Sequence, residues 1–284
     1  MDALPKSQLL QFVERAMVLA HRAVARFSTR YSRKRFTLRQ HVVLLCLKVK
    51  KTTSLTNSSK CPASVRLSAL TRSPLLRRSA RRSKAFDRLE MAVWRVLLNV
   101  SLTDLPVNGV TGIDASGFER AHASTHYTKR TNLTIQQLKT TLLVDTATNA
   151  VLDIHVTTAR KHDTQIAPQV VKRNAASIKV LTGDKGYDDQ KLRHLARDHD
   201  IRPLIKHREF TSLHKAWNAR LDTDLYHQRN MNETVNVTIK QKFGAFVRSR
   251  LWWKQFRELV IKCVVHNVER SLALSHEEYD CPRV

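Results

Sequence analysis

Residues 140–158 read TTLLVDTATNAVLDIHVTT, and no other stretch narrows the available folds as much. Two runs rich in β-branched and aliphatic residues flank Ala147-Thr148-Asn149-Ala150, a quartet that signals a hairpin. The neighbouring segments extend the pattern. VTGIDASGFERA (110–121) reads as a strand that includes Ile113. TQIAPQVVKRNAA (164–176) reads as a helix. SIKVLTGDKGYDD (177–189) reads as a short apolar strand running into a polar loop. QKLRHLARDHD (190–200) is helical, and IRPLIKH (201–207) is a last strand. Strand, hairpin, helix, strand, helix, strand and then helices make an α/β domain over residues 105–284, with antiparallel and parallel parts in one sheet. REFTSLHKAWNARLDTDL (208–225) shows no usable apolar periodicity and reads as an insertion. RLWWKQFRELVIKCVV near the end reads as a C-terminal helix, with Trp252 and Trp253 packed against the sheet.

The first 104 residues have a different texture. Leu9, Phe12, Met17, Leu19 and Val24 form an apolar stripe over 5–27, and FTLRQHVVLLCLKVK (36–50) is a second helix with Thr37 as a suitable N-cap. AFDRLEMAVWRVLLNV (85–100) is another. This region is a basic, all-α domain. It carries 22 Lys+Arg against 5 Asp+Glu, a net of +17, while the remainder carries 28 against 19, a net of +9. A total of +26 would repel itself in a compact fold and calls for a polyanionic partner. Nucleic acid comes first, because phosphate contacts supply most of its affinity, and an anionic membrane surface second. The run LLRRSARRSKAFDR (75–88), with Arg77, Arg78, Arg81 and Arg82, reads as a DNA-phosphate contact rather than a merely solvated face.

Other classes drop out. Cys46, Cys61, Cys263 and Cys281 form no CxxC pair, so zinc-finger and redox motifs are absent and the thiols suit a reducing compartment. Glu14 and Arg15 interrupt the N-terminal apolar residues, which makes an amphipathic helix rather than a signal peptide. VVLLCL (42–47) is too short to span a bilayer. The expectation is a cytoplasmic protein with no membrane partner.

The acids of the second part hold the chemistry. Asp114 leaves the first strand among Gly112, Ala115, Ser116 and Gly117, and Asp184 follows an apolar strand between Gly183 and Gly186. Strand-end aspartates beside glycine suit a hard cation such as Mg²⁺ or Mn²⁺, and they equally suit turns. With 226–243 drawn as one helix at about 100° per residue, Tyr226, Arg229, Glu233 and Lys240 share one sector. Met231, Val235 and Ile239 fall opposite, as a packing face. Asp145 reads as structural, Asp163 as an N-cap, and Asp188 and Asp189 as caps of the following helix.

Tyr226, two residues, Arg229, three residues, Glu233, six residues and Lys240 resemble the signature of DDE transposases of prokaryotic insertion sequences, particularly the group numbered five. GIDASG resembles the first-aspartate strand of that family and GDKGYDD its second. TARKHDT (158–164) resembles its link from hairpin to helix. The resemblance implies an RNase H-like catalytic domain whose Asp114, Asp184 and Glu233 hold two ions, Mg²⁺ or Mn²⁺, about 3.5–4 Å apart. It implies cleavage of double-stranded DNA at inverted-repeat ends and strand transfer into target DNA, by a homodimer or higher synaptic oligomer, in a nucleoid-associated setting. Arg229, Lys240 and Tyr226 would meet the DNA, Tyr226 through a base or a phosphate. A nuclease of the same fold without strand transfer and a non-catalytic DNA-binding derivative are the rival readings.

Overall fold

The computed structural model describes residues 7–27, 37–57, 91–120, 137–158, 161–249 and 251–280, with side chains excepted at 52–57 and 276–280. The Arg77, Arg78, Arg81 and Arg82 cluster, Cys61 and Cys281 lie outside the described residues. By contacts the chain divides into two compact units. One comprises Met1–Thr103, Gln241–Gly244 and Phe256–Val284, and the other Asp104–Lys240 and Ala245–Gln255. Most of the C-terminal helix thus groups with the N-terminal helices, whereas the sequence pattern assigned it to the sheet.

In the first unit, α1 (Gln8–Ala23), α2 (Leu38–Asn57) and α3 (Met91–Val100) are the described helices that precede the sheet. Phe12, Ala16, Leu19 and Ala20 bury one face of α1, as its apolar stripe requires. Thr37 starts α2 with a capping box: its hydroxyl accepts from the Gln40 N–H, and the Gln40 side chain accepts from the Thr37 N–H. The C-terminal helix α9 (Trp252–Asp280) gives this unit Phe256, Leu259, Val260, Val264 and Val268, all buried. Asn267 donates to the Ser101 hydroxyl at 2.9 Å, which satisfies two buried polar groups at once. Cys46 and Cys263 are buried free thiols, and burial pushes the Cys46 thiol up to about 12, so it is inert.

The second unit is built on a mixed sheet. β1 (Val110–Arg120), β2 (Gln137–Asp145) and β3 (Ala150–Thr157) form an antiparallel meander, and β4 (Val180–Gly183) and β5 (Arg202–Ile205) add parallel to it in the order β3-β2-β1-β4-β5. A short strand β6 (Phe246–Val247) pairs with the far end of β1. α4 (Asp163–Asn174) and α5 (Gln190–Asp198) supply Ile166, Ala167, Val170, Val171, Leu192 and Ala196 to the core. The expected hairpin is present, with Asn149 in the left-handed region at φ 57°. Asp145 is wholly buried and anchors this corner. It accepts from the Asn108 and Gly109 N–H groups on one oxygen and from the Thr148 N–H and hydroxyl on the other. Asp163 is a first-turn residue and His162 is the N-cap of α4, accepting from the Thr164 N–H.

No helix among the described residues is long and apolar enough to cross a membrane. Residues 208–225 are not irregular: they form α6 (Ser212–Ala219) and α7 (Thr223–His227). The long helix drawn over 226–243 is two pieces, α7 and α8 (Asn230–Phe243), separated by a turn at Gln228-Arg229.

The first unit contains an acid-sensitive contact. Burial alone would raise the Glu269 carboxyl, but hydrogen bonds and charge from Lys50 (2.9 Å) and then Lys242 (3.0 Å) hold it below the usual range. A depressed folded-state value contributes stability above the unfolded value near 4.5, and that contribution is lost as pH falls through the folded one. Glu269→Gln should therefore flatten the acid limb of the stability curve below about pH 4.5 while leaving the neutral plateau lower, measured by urea unfolding across pH.

Candidate active site

The register of the sheet decides where the two aspartates meet. Gly112 on β1 pairs in parallel with Thr182 on β4. Asp114 and Asp184 each lie two residues beyond that pair, so they stand at matching levels on adjacent segments. On its other side Asp114 pairs with Leu142 of β2, which fixes it in the middle of the sheet. Asp184 ends β4 by capping a short 3₁₀ turn, Lys185–Tyr187, and accepts from the Gly186 N–H at 2.9 Å. Glycine at 186 suits this tight turn, because a Cβ there would stand 2.9 Å from the Asp184 carboxylate.

The loop after β4 is itself held in place. Asp188 accepts from Arg193 at 2.8 Å and from the Arg208 N–H at 2.8 Å, and Arg193 also donates to the Ile205 carbonyl. Burial would raise Asp188, but these donors and the Arg193 charge lower it below the ordinary range. Asp188 is thus a strut between the Asp184 loop and the segment after β5, rather than the helix cap its position suggested. Asp189 is the cap of α5, through the Lys191 N–H. His207 contacts the same carboxylate at 3.3 Å, but burial and then the Arg193 charge lower its pKa.

Glu233 sits in the first turn of α8 and pairs with Arg229 at 2.8 Å, across one helical turn. The Asp114 carboxyl is raised to about 6: burial is the main cause, the charges of Asp184 and Glu233 add to it, and the Ala115 backbone N–H opposes it. Arg229 pulls it down. Asp114, Asp184, Glu233 and Arg229 therefore share one electrostatic neighbourhood, although they come from a central strand, a strand end and a helix. Among the described residues no three His, Cys, Asp or Glu side chains are grouped closely enough to hold one metal ion. The donor chemistry nonetheless fits a hard cation: three carboxylates and no imidazole or thiolate, with mutual repulsion that a cation relieves.

Tyr226 ends α7 and is buried, with Lys206 Nζ 4.7 Å and the Arg229 guanidinium carbon 5.8 Å from its ring centre. Burial raises its phenol, the nearby Arg229 lowers it, and the Asp184 charge raises it. Its ring face is engaged by two cations. Lys206, at the end of β5, has no place in the sequence pattern; a lysine one residue past a strand end next to the Asp184 loop was the only available signal. Lys240 stands over the Phe118 ring at 5.5 Å, four residues along β1 from Asp114.

The packing face of α8 differs from its apolar reading. Val235 and Ile239 are buried, but Met231 is 38% exposed. In its place Asn232 and Asn236 turn inward at 0% and 4% exposure. The buried face of α8 runs through Asn232, Val235, Asn236 and Ile239, which are spaced one turn apart on the same helix. Trp252, expected against the sheet, is 37% exposed.

The family described as Transposase DDE domain matches residues 106–268. Comparison with curated proteins gives no match. Among solved structures, a piggyBac transposase synaptic complex with hairpin DNA aligns at 12% identity over 97% of this chain and 82% of that one, with a TM-score of 0.42. A simian T-cell lymphotropic virus intasome in complex with PP2A regulatory subunit B56 gamma aligns at 15% over 55% and 59%, with a TM-score of 0.27. Neither likeness is close enough to bear on function.

A half-buried carboxylate among like charges destabilises the fold that carries it. Asp114→Asn should raise stability by about 1–2 kcal/mol in the presence of a chelator, read as a higher urea midpoint at pH 7. A drop in the midpoint would show that Asp114 is not under this repulsion.

Proposed function

Because this chain belongs to the transposase DDE domain family, we propose that it is an insertion-sequence transposase of the group numbered five. It cleaves the inverted-repeat ends of its element and joins them to target DNA. The carrying observation is the shared electrostatic neighbourhood of Asp114, Asp184, Glu233 and Arg229. A purely structural acid on a central strand would be matched by a donor or cation alone; this one is placed beside two further acids.

Asp114, Asp184 and Glu233 are the residues that would hold two Mg²⁺ or Mn²⁺ ions. When bound, such ions lower the pKa of an attacking water or 3′-hydroxyl and neutralise charge on the scissile phosphate. The protein supplies the rest. Asp114 is fixed by the sheet, and Asp184 by its 3₁₀ turn and the Asp188–Arg208 strut. Glu233 is exposed and held by Arg229, so it is the adjustable member. An arriving phosphate gives Arg229 an alternative anion, which frees the Glu233 carboxylate to turn toward Asp114. Lys206, over the Tyr226 ring, and Lys240, over the Phe118 ring, serve as further phosphate contacts, and Tyr226 orients Arg229 and Lys206 with its buried ring. The basic run that includes Arg77, Arg78, Arg81 and Arg82 would bind the element end outside the reacting phosphate. Two ends must be processed together, so the working form is a dimer or larger assembly on double-stranded DNA. The catalytic sheet is of the RNase H-like kind, in a cytoplasmic, prokaryotic setting.

Asp114→Asn, Asp184→Asn and Glu233→Gln should each slow Mg²⁺-dependent cleavage of inverted-repeat DNA by about 10³-fold or more, with end binding in a gel-shift assay changed only a few-fold. Near-normal cleavage by any one removes that residue from the set. Transfer of a pre-cut end into plasmid separates a transposase from a simple nuclease. Arg229→Gln should weaken DNA binding regardless of sequence and lower the slope of log K against log salt by about 1, measured by fluorescence anisotropy.

A further inference from the structure

Two buried amides on α8 have no part in the signature that carries the family resemblance. Asn232 and Asn236 are one helical turn apart and face β1. Asn236 donates from Nδ2 to Asp114 Oδ2 at 3.1 Å. Asn232 reaches the Leu142 carbonyl of β2 with Nδ2 at 3.5 Å. Its side chain stands 3.2–3.3 Å from where a Cβ on residue 112 would lie, so glycine at 112 lets α8 approach β1 this closely. The Oδ1 atoms of both asparagines are buried with no hydrogen-bond partner among the described residues.

Burying an amide with one end unpaired costs free energy, and a leucine of similar shape would fill either site without that cost. Val235 and Ile239 on the same face show that apolar residues suffice for packing. The amide at 236 therefore needs another reason. The group it touches is the carboxylate of the first aspartate, which can only accept when ionised, and this sets the NH₂ end toward it. Glu233 lies on the same helix, one turn before Asn236. A single hydrogen bond thus ties the helix that bears one acid to the strand that bears another.

We infer that Asn236 is a positioning residue: its amide fixes the rotamer of Asp114 and the distance between the Asp114 strand and the Glu233 helix. The inference rests on the proposed assignment of Asp114 and Glu233 as metal ligands. Asn232 acts only as a spacer over Gly112.

The test compares the full-length wild type with Asn236→Leu and Asn236→Ala. Three quantities are read: single-turnover cleavage of end DNA with its binding constant, Mn²⁺ affinity of the DNA-free protein by electron paramagnetic resonance, and the urea midpoint. Both variants should cleave at least about tenfold more slowly at saturating DNA and bind Mn²⁺ at least about fivefold more weakly. DNA affinity should stay within about twofold, and the leucine variant should keep or raise the wild-type midpoint. Unchanged Mn²⁺ affinity in a folded variant overturns the inference, as does cleavage within about twofold of wild type. Activity that falls only in step with the midpoint also overturns it, since that marks a structural role. If one variant fails to fold, the other decides. Wild-type protein that binds Mn²⁺ but cleaves no end DNA sinks the proposed function and leaves the Asn236 comparison intact. Wild-type protein that binds no Mn²⁺ either alone or with end DNA sinks both.

Discussion

Keeping a carboxylate on the central strand of a sheet is the constraint from which the second unit follows. Asp114 is flanked by β2 and β4 and covered by α8, where water is scarce and an ionised acid is poorly solvated. Ordinary proteins relieve such an acid with a cation or several donors, as Asp145 is relieved thirty-one residues later by four donors. Asp114 receives one amide, one backbone N–H and the distant charge of Arg229, against two further acids. The imbalance is a property of the site, and a cation held by the three acids, as we propose for this chain, would relieve it.

Much of this was legible in the sequence. The hairpin was set by β-branched runs around ATNA, and the parallel strands by short apolar runs followed by helices. Once β1 and β4 are neighbours and parallel, the spacing of Gly112 to Asp114 and Thr182 to Asp184 brings the two acids level without any side-chain detail. Of the Tyr226-to-Lys240 pattern only Glu233 and Lys240 lie on α8, with Tyr226 on α7 and Arg229 in the turn between, so the spacing was legible but the single helix face was not.

What stayed hidden depended on tertiary contacts. A wheel over 226–243 presumes an unbroken helix, whereas a turn at Gln228-Arg229 separates α7 from α8, and the buried face of α8 is centred toward Asn232 and Asn236 rather than Met231. Met231 was an apolar residue on the wrong side, while Asn232 and Asn236 look like surface residues until β1 and its Gly112 are brought beneath them. Residues 208–225 lacked periodicity because α6 buries none of its side chains; His207, His214 and Trp217 contact one another on its surface instead. The true caps, His162 and Asp189, each lie one residue from Asp163 and Asp188, an offset that local sequence does not resolve.

The weakness of the Arg229–Glu233 pair completes the logic. Glu233 is 56% exposed, and a pair of this kind on a helix surface is worth about 0.3–0.5 kcal/mol. A strong pair would lock the third acid away from Asp114 and would waste the guanidinium. A weak one can yield if, as we propose, a phosphate and a cation offer both partners more. Arg229 is also the residue that moderates the charge on Asp114 and faces the Tyr226 ring, so its release changes the acid, the base and the aromatic support together. On the proposed function, the spacing of tyrosine, arginine and glutamate across the α7–α8 turn serves this exchange: each reaches the next, and none holds it tightly.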